Sequence, residues 1–161
     1  LNQRLESIRQ TIFRQTLFAD FELRFHEHAE QGNPLTAEFL NQTYADMIRE
    51  YYGPGYELGK DDQCEWMFIP HFYYNFYVFT YATGLTSGLA LADEITAKGE
   101  KPAQRYIDNM LKAGSSAPPL DILRSAGVDL ETPAPIVAAM DMFERTVDEF
   151  DRLWTQKYGK K

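Results

Sequence analysis

The chain of 161 residues holds a single cysteine, Cys64, and only three histidines. One cysteine excludes an internal disulfide framework and is typical of a reducing compartment, so we expect a cytoplasmic protein. Basic residues are also in deficit, because 16 Lys and Arg stand against 24 Asp and Glu, which gives a net charge of −8. A surface of that sign repels phosphate backbones and argues against nucleic acid as a partner.

The motifs of complete catalytic sites are missing as well. The sequence contains no HExxH pair, no glycine-rich phosphate loop and no nucleophile elbow. In FHEHAE, His26 and His28 are two residues apart, and on a helix they would point about 200° from each other. They cannot chelate one ion, and Glu22 with His26 is better explained as a surface pair. The sequence therefore predicts that this chain binds no metal.

A long uncharged stretch is present instead. No Asp, Glu, Lys or Arg occurs from Trp66 to Ala92, which exceeds the roughly 20 residues that span a bilayer. Its central part, IPHFYYNFYVFTYATGLTSG, carries His, Asn, Thr and four Tyr, whose polar groups would need partners in lipid. We therefore expect a buried helix of a soluble protein that continues to about Lys98, and no membrane partner.

Hydrophobic periodicity predicts one all-α domain of five or six helices over residues 1–161. A first helix is expected to end near Gln31, and Thr36 is suited to cap the next one, which Gly53 ends. Residues 56–70 show no clear period and are predicted to form a loop. Thr132 and Pro133 are expected to open the last helix as its cap and first residue.

Two stripes are expected to pack between helices. Gly84, Gly88 and Ala92 lie four residues apart and predict a surface that another helix approaches closely. The last helix has a four-three apolar rhythm that is expected to face the other helices and close the bundle: Ile136, Met140, Phe143, Val147, Phe150 and Trp154.

His71 and the tyrosines after it are the candidate functional residues. On one continuous helix, His71, Tyr74, Tyr77 and Tyr81 would share a broad face. Phenol hydroxyls beside an imidazole are suitable donors to a developing oxyanion. The alternative is a core helix whose tyrosine hydroxyls bond to backbone carbonyls. Residue spacing alone leaves both interpretations open.

Several segments match one family in chain order. HFYYNFYVFTYATG, with FRQTLFADFE, HAEQGNPLTAEFLNQTYADM and PLDILRSAGVD, resembles the C-terminal part of oligoendopeptidase F, a branch of the thimet-oligopeptidase-like zinc metallopeptidases. The similarity covers residues 5–158. It implies the C-terminal helical portion of a zincin-like catalytic domain, which forms one wall of the active-site channel of an enzyme that hydrolyses short peptides. Because the chain opens in a helical pattern without an initiator methionine, we expect a fragment of a larger peptidase.

The resemblance also implies the roles of particular residues. His71 and Tyr77 would contact the substrate and stabilise the tetrahedral intermediate, Tyr74 would bind substrate, and Tyr81 would belong to the core. Zinc would be held by ligands upstream of this segment in the parent enzyme, and this chain would hold none.

Such a fragment would be inactive alone and would self-associate through apolar faces that the parent buries. The alternatives are a stand-alone helical module that binds a peptide or a protein without catalysis, and a purely structural bundle.

Overall fold

Helical segments make up most of Leu1–Gly159, the part of the chain that the computed structural model describes. This part contains seven α-helices and no strand, which confirms the all-α prediction with a slightly higher helix count. The α-helices are α1 (Asn2–Ile8), α2 (Arg14–Glu30), α3 (Ala37–Tyr52), α4 (Phe79–Lys98), α5 (Glu100–Tyr106), α6 (Pro119–Ala126) and α7 (Ala134–Tyr158). Two π-helical segments, Arg9–Phe13 and Ile107–Leu111, follow α1 and α5, so the predicted first helix is divided in two.

Two compact units make up the chain, Arg9–Ala82 and Leu1–Ile8 with Thr83–Lys161. In the Arg9–Ala82 unit, α2 packs against α3 around a core rich in aromatic rings. The buried residues of this core are Leu17, Phe18, Phe21, Tyr44, Met47, Ile48 and Val78. That the whole chain forms one domain stays a prediction.

The ends of α3 agree with the sequence analysis. The Thr36 hydroxyl accepts the Phe39 amide at 3.2 Å, which satisfies one of the free N–H groups of the first turn. At the other end, Gly53 adopts φ +75°, a conformation that L side chains rarely take, and stops the helix.

Residues 56–70 are not a plain loop, so that prediction is partly wrong. Asp62–Phe68 and Pro70–Tyr73 form short 3₁₀-helices. Side chains of α3 hold the first of them: the Tyr44 hydroxyl donates to Glu65 at 2.6 Å, and Trp66 Nε1 donates to Asn41 Oδ1 at 2.8 Å. Such long-range contacts leave no periodic signal in the sequence.

The predicted continuous helix through the aromatic stretch is also wrong. The 3₁₀-helix ends at Tyr73, and α4 begins only at Phe79. Between them Asn75 and Phe76 adopt positive φ values of 49° and 59°, which ends any right-handed helix. Within Leu1–Gly159 none of the helices combines the length and the apolar character that crossing a bilayer requires.

The small-residue stripe of α4 does not mediate close helix packing, contrary to prediction. A Cβ added at Gly84 or Gly88 would meet no atom within 4 Å. One buried cluster of the second unit consists of Leu91, Ala126 and Val128.

Gly127, which ends α6, is favoured there by its backbone conformation and lies against a side chain of α5. It has φ +110°, and a Cβ at this position would clash with the Arg105 guanidinium. Arg105 Nε donates to the Ala126 carbonyl at 2.8 Å and pairs with Glu94, so these contacts tie α4, α5 and α6 together.

The face that helix α7 buries only partly overlaps the one predicted. Its buried residues are Pro135, Ala139, Met142 and Thr146, one position away from the predicted stripe. One position corresponds to about 100° around the helix, so Ile136, Val147 and Trp154 are 48%, 40% and 55% exposed. The other members of the predicted stripe, Met140, Phe143 and Phe150, are partly buried, so the stripe lies at the edge of the buried face and not at its centre. The cap prediction is wrong too, because the Thr132 hydroxyl donates to the Asp129 carbonyl and Pro133 precedes the first turn.

Candidate substrate-binding site

Four side chains from three consecutive pieces of backbone form a histidine–tyrosine cluster, which we define as His71, Tyr74, Tyr77 and Tyr81. His71 lies in the 3₁₀-helix Pro70–Tyr73, and Tyr81 lies in the first turn of α4. Tyr74 and Tyr77 flank the left-handed pair Asn75–Phe76. The helix prediction was wrong, yet the turn brings the same four residues together by another route.

Val78 anchors this segment to the protein interior. Its side chain is fully buried in the core of the Arg9–Ala82 unit, while Tyr77 and Phe79 on either side are 46% and 51% exposed. Because Val78 is buried in the core, the side chain of its neighbour Tyr77 is directed towards solvent. The cluster therefore stands on a rigid core although most of its rings reach solvent.

The cluster is organised around the imidazole of His71. His71 Nε2 and the Tyr81 hydroxyl form a hydrogen-bonded pair at 3.0 Å. The His71 ring centroid lies 6.0 Å from that of Tyr74, 6.1 Å from that of Tyr77 and 5.3 Å from that of Tyr81. Tyr77 lies nearly parallel to His71, at 5°, and the other two rings stand edge-on.

The cluster is accessible to a ligand. Tyr74 is 60% exposed, and Tyr81, expected in the core, is 37% exposed and makes the direct contact with His71. The described part of the chain leaves these rings open to contact with another molecule or segment.

The Tyr81 hydroxyl stays protonated at neutral pH. Partial loss of hydration, followed by the neighbouring Tyr77 and Tyr74 phenols, raises the pKa of Tyr81 above its ordinary value. A neutral phenol is a hydrogen-bond donor, so Tyr81 can donate to His71 Nε2. The arrangement offers phenol and imidazole groups to an oxygen of a ligand, and it contains no activated nucleophile.

Sequence reasoning missed the residue that holds the turn in place. Glu22 on α2 is 1% exposed, and its Oε1 accepts the backbone amide of Phe76 at 2.7 Å. One turn further along α2, the His26 ring lies 4.6 Å from the Phe76 ring. A glutamate on the same helix face as Phe18 and Phe25 was the available signal, since a charge among core positions needs a buried partner.

The described residues provide no zinc site. No group of three or more His, Cys, Asp or Glu side chains lies close enough to hold an ion anywhere in Leu1–Gly159. His26 stacks on Phe25 and His28 stacks on Phe39, with ring centroids 4.8 and 3.7 Å apart. The two histidines thus contact different rings, and we derive no chemical step through a metal held by this chain.

Comparison with known proteins places this geometry in a family. The profile of Peptidase family M3 matches residues 1–142. Oligopeptidase PepF of Bacillus subtilis is 49% identical over 153 residues, which is 95% of this chain and 23% of that protein. The chromosomal oligoendopeptidase F of Lactococcus lactis subsp. cremoris is 44% identical over 95% of this chain and 25% of its own length.

A solved structure of this kind of protein has the same fold as the chain. The crystal structure of oligoendopeptidase-F from Enterococcus faecium superposes with a TM-score of 0.92 at 41% identity, covering 96% of this chain and 30% of that one. The chain thus spans about a quarter of the length of the curated relatives it matches. Because the family profile matches residues 1–142 and the relatives are more than 40% identical, the chain belongs to Peptidase family M3.

Proposed function

We propose that this chain forms the C-terminal wall of the substrate site in a zinc-dependent oligoendopeptidase that hydrolyses short peptides. In this role His71 and Tyr77 donate hydrogen bonds to the carbonyl oxygen that becomes an oxyanion, and Tyr74 contacts the peptide. Tyr81 orients His71 through the 3.0 Å hydrogen bond. Membership of Peptidase family M3 and the oligopeptidase and oligoendopeptidase names of the relatives support the reaction class.

The observation that carries the proposal is the exposed cluster around one imidazole. Three phenols stand within about 6 Å of His71, centroid to centroid, and none is fully buried. Donors fixed in advance at the place where negative charge develops stabilise a transition state more than a ground state. A core made of these residues would bury the rings and would gain nothing from this geometry.

The remaining machinery is assigned to polypeptide outside this chain. Zinc activates water and polarises the scissile carbonyl in metallopeptidases, and the ligands of the proposed enzyme would come from another part of the parent polypeptide. The exposed apolar stripe of α7, at Ile136, Val147 and Trp154, supports a missing partner surface, because monomers rarely expose such rows. We place the enzyme in the cytoplasm and propose that this chain alone is inactive and self-associates through that stripe.

The test uses the parent polypeptide, which carries both the zinc-binding part and this chain. Tyr77→Phe or His71→Ala removes one donor, and we expect kcat on a fluorogenic peptide to fall about 10²–10³-fold with KM little changed. Tyr158→Phe, at an exposed position of α7, is the matched control. Unchanged kcat in Tyr77→Phe, with a lower melting temperature, would show that the cluster is packing only.

A further inference from the structure

A buried carboxylate behind the cluster has no role in the function proposed above. Glu22 is 1% exposed, and its Oε2 is buried without a hydrogen-bond partner, while Oε1 accepts the Phe76 amide. Burying a carboxylate is costly, and an apolar side chain of similar size would fill the same space without that cost. A function of Glu22 that an apolar residue cannot perform would account for its presence.

The hydrogen bond that Glu22 accepts comes from a residue with an unusual backbone conformation. Asn75 and Phe76 are the two non-glycine residues with positive φ among the described residues. Such conformations are unfavourable for residues with a side chain and persist only when the surroundings hold them in place. Two contacts from successive turns of α2 hold this conformation. Glu22 accepts the Phe76 amide at 2.7 Å, and the His26 ring packs against the Phe76 ring.

This turn sets the spacing of the proposed catalytic groups. Tyr74 directly precedes the left-handed pair and Tyr77 directly follows it. Their rings lie 6.1 Å apart and stand at 6.0 and 6.1 Å from His71. If the pair relaxed to ordinary φ values, Tyr77 would leave its position beside His71, because every later atom rotates about these bonds.

We propose that Glu22 is a positioning residue, which holds the left-handed Asn75–Phe76 turn through the Phe76 amide and thereby places Tyr77 against His71. The inference rests on the proposed role of Tyr77 and His71 in peptide hydrolysis. What matters is the reach of the acceptor oxygen, not its charge. Glutamine keeps that reach without charge, whereas aspartate keeps the charge and withdraws the oxygen by one methylene.

The experiment compares Glu22→Gln with Glu22→Asp in the parent peptidase. We expect Glu22→Gln to keep kcat within about 3-fold of the unmodified enzyme and Glu22→Asp to lower kcat at least about 10-fold, with KM within about 3-fold in both. Glu27→Gln and Glu27→Asp, at an exposed position of the same helix, are matched controls that should leave kcat unchanged.

Hydrogen–deuterium exchange gives a readout that does not depend on activity. In Glu22→Asp the peptide that contains residues 74–78 should exchange at least about 10-fold faster, with the rest of the protein unaffected. In Glu22→Gln the same peptide should exchange as in the unmodified protein. Faster exchange throughout the protein would indicate general destabilisation and would overturn the positioning role.

The outcomes separate the two proposals. If Tyr77→Phe lowers kcat but Glu22→Asp does not, the positioning inference is wrong and the proposed function stands. If Glu22→Gln loses as much kcat as Glu22→Asp while its exchange is normal, Glu22 acts through its charge and the inference is again wrong. If Tyr77→Phe leaves kcat unchanged, the proposed function fails, and the exchange data alone decide whether Glu22 holds the turn.

Discussion

Replacing Tyr44 by Phe deletes one buried hydroxyl and leaves the core otherwise intact. Tyr44 is 1% exposed, its ring stands edge-on to Phe21 at 5.1 Å, and its hydroxyl donates to Glu65 at 2.6 Å. A hydrogen bond to a charged group contributes about 1.5–3 kcal/mol. Glu65 keeps its ion pair with Arg14 and is 37% exposed, so water can replace the lost donor. We therefore expect Tyr44→Phe to lower the free energy of unfolding by about 1–2 kcal/mol at neutral pH.

The same hydroxyl makes stability depend on pH in a predictable direction. Burial, followed by the bond to Glu65, raises the pKa of Tyr44 far above its ordinary value. Above pH 10 the unfolded chain ionises this tyrosine while the folded chain does not, so the unfolded state binds fewer protons and stability falls as pH rises. At pH 11 this loss amounts to about 1.4 kcal/mol. The variant has no such group, so its deficit relative to the unmodified chain should nearly vanish there.

Urea unfolding of both chains at pH 7.5 and pH 11 measures the effect. Other tyrosines and the lysines titrate in both chains and cancel in the difference between them. Tyr73→Phe, at an 85% exposed position, is the control and should change stability at neither pH. A Tyr44→Phe deficit that stays constant or grows towards pH 11 would refute the assignment of a buried, protonated phenol.

Three further outcomes are expected. Val78→Ala, at a fully buried core position beside the cluster, should lower the free energy of unfolding by about 1–3 kcal/mol in urea titrations, whereas Phe79→Leu, at a half-exposed position, should lower it much less. The double variant Ile136→Ser/Trp154→Ser should reduce self-association in light scattering at high concentration with helicity unchanged, since both side chains are about half exposed. After dialysis the isolated chain should retain no stoichiometric zinc by elemental analysis, and one tightly held ion per chain would contradict this.

Local signals determined the elements that the sequence predicted well. The Thr36 cap and the Gly53 stop act within a few residues, so they can be read from the chain itself. Helix periodicity likewise identified α2 and α3 and gave the all-α class. The family was recognised from ordered segments, and it holds over residues 1–142.

Long-range contacts form the elements that the sequence predicts poorly. In the 3₁₀-helix at Asp62–Phe68, Glu65 accepts a hydrogen bond from Tyr44 and Trp66 donates one to Asn41. The turn at Asn75–Phe76 is bonded to Glu22, which is 54 residues before Phe76. Periodicity cannot express such contacts, so the aromatic stretch was assigned to one helix. The predicted face of α7 differs from the buried one by about one position, because apolar spacing does not distinguish a side chain at the centre of a buried face from one at its exposed edge.

For the site, the four cluster residues could be named from the sequence, but their geometry could not. His71, Tyr74 and Tyr77 were proposed on a helical face that does not exist, and the structure gathers them with Tyr81 through a left-handed turn. Their roles in catalysis stay a prediction. Glu22 is predicted only as a surface partner of His26, although its place on the same helix face as Phe18 and Phe25 indicates burial.

The division of the chain into two compact units gives each unit its own fluorescent reporter. The chain has two tryptophans. Trp66 packs against the core of the Arg9–Ala82 unit, and Trp154 is 55% exposed on α7 in the other unit. Indole emission shifts to the blue in apolar surroundings, so the two signals differ in colour as well as in origin. Trp66→Phe and Trp154→Phe therefore yield two single-tryptophan chains, and coincident or separate unfolding midpoints would measure directly whether the halves fold as one cooperative body.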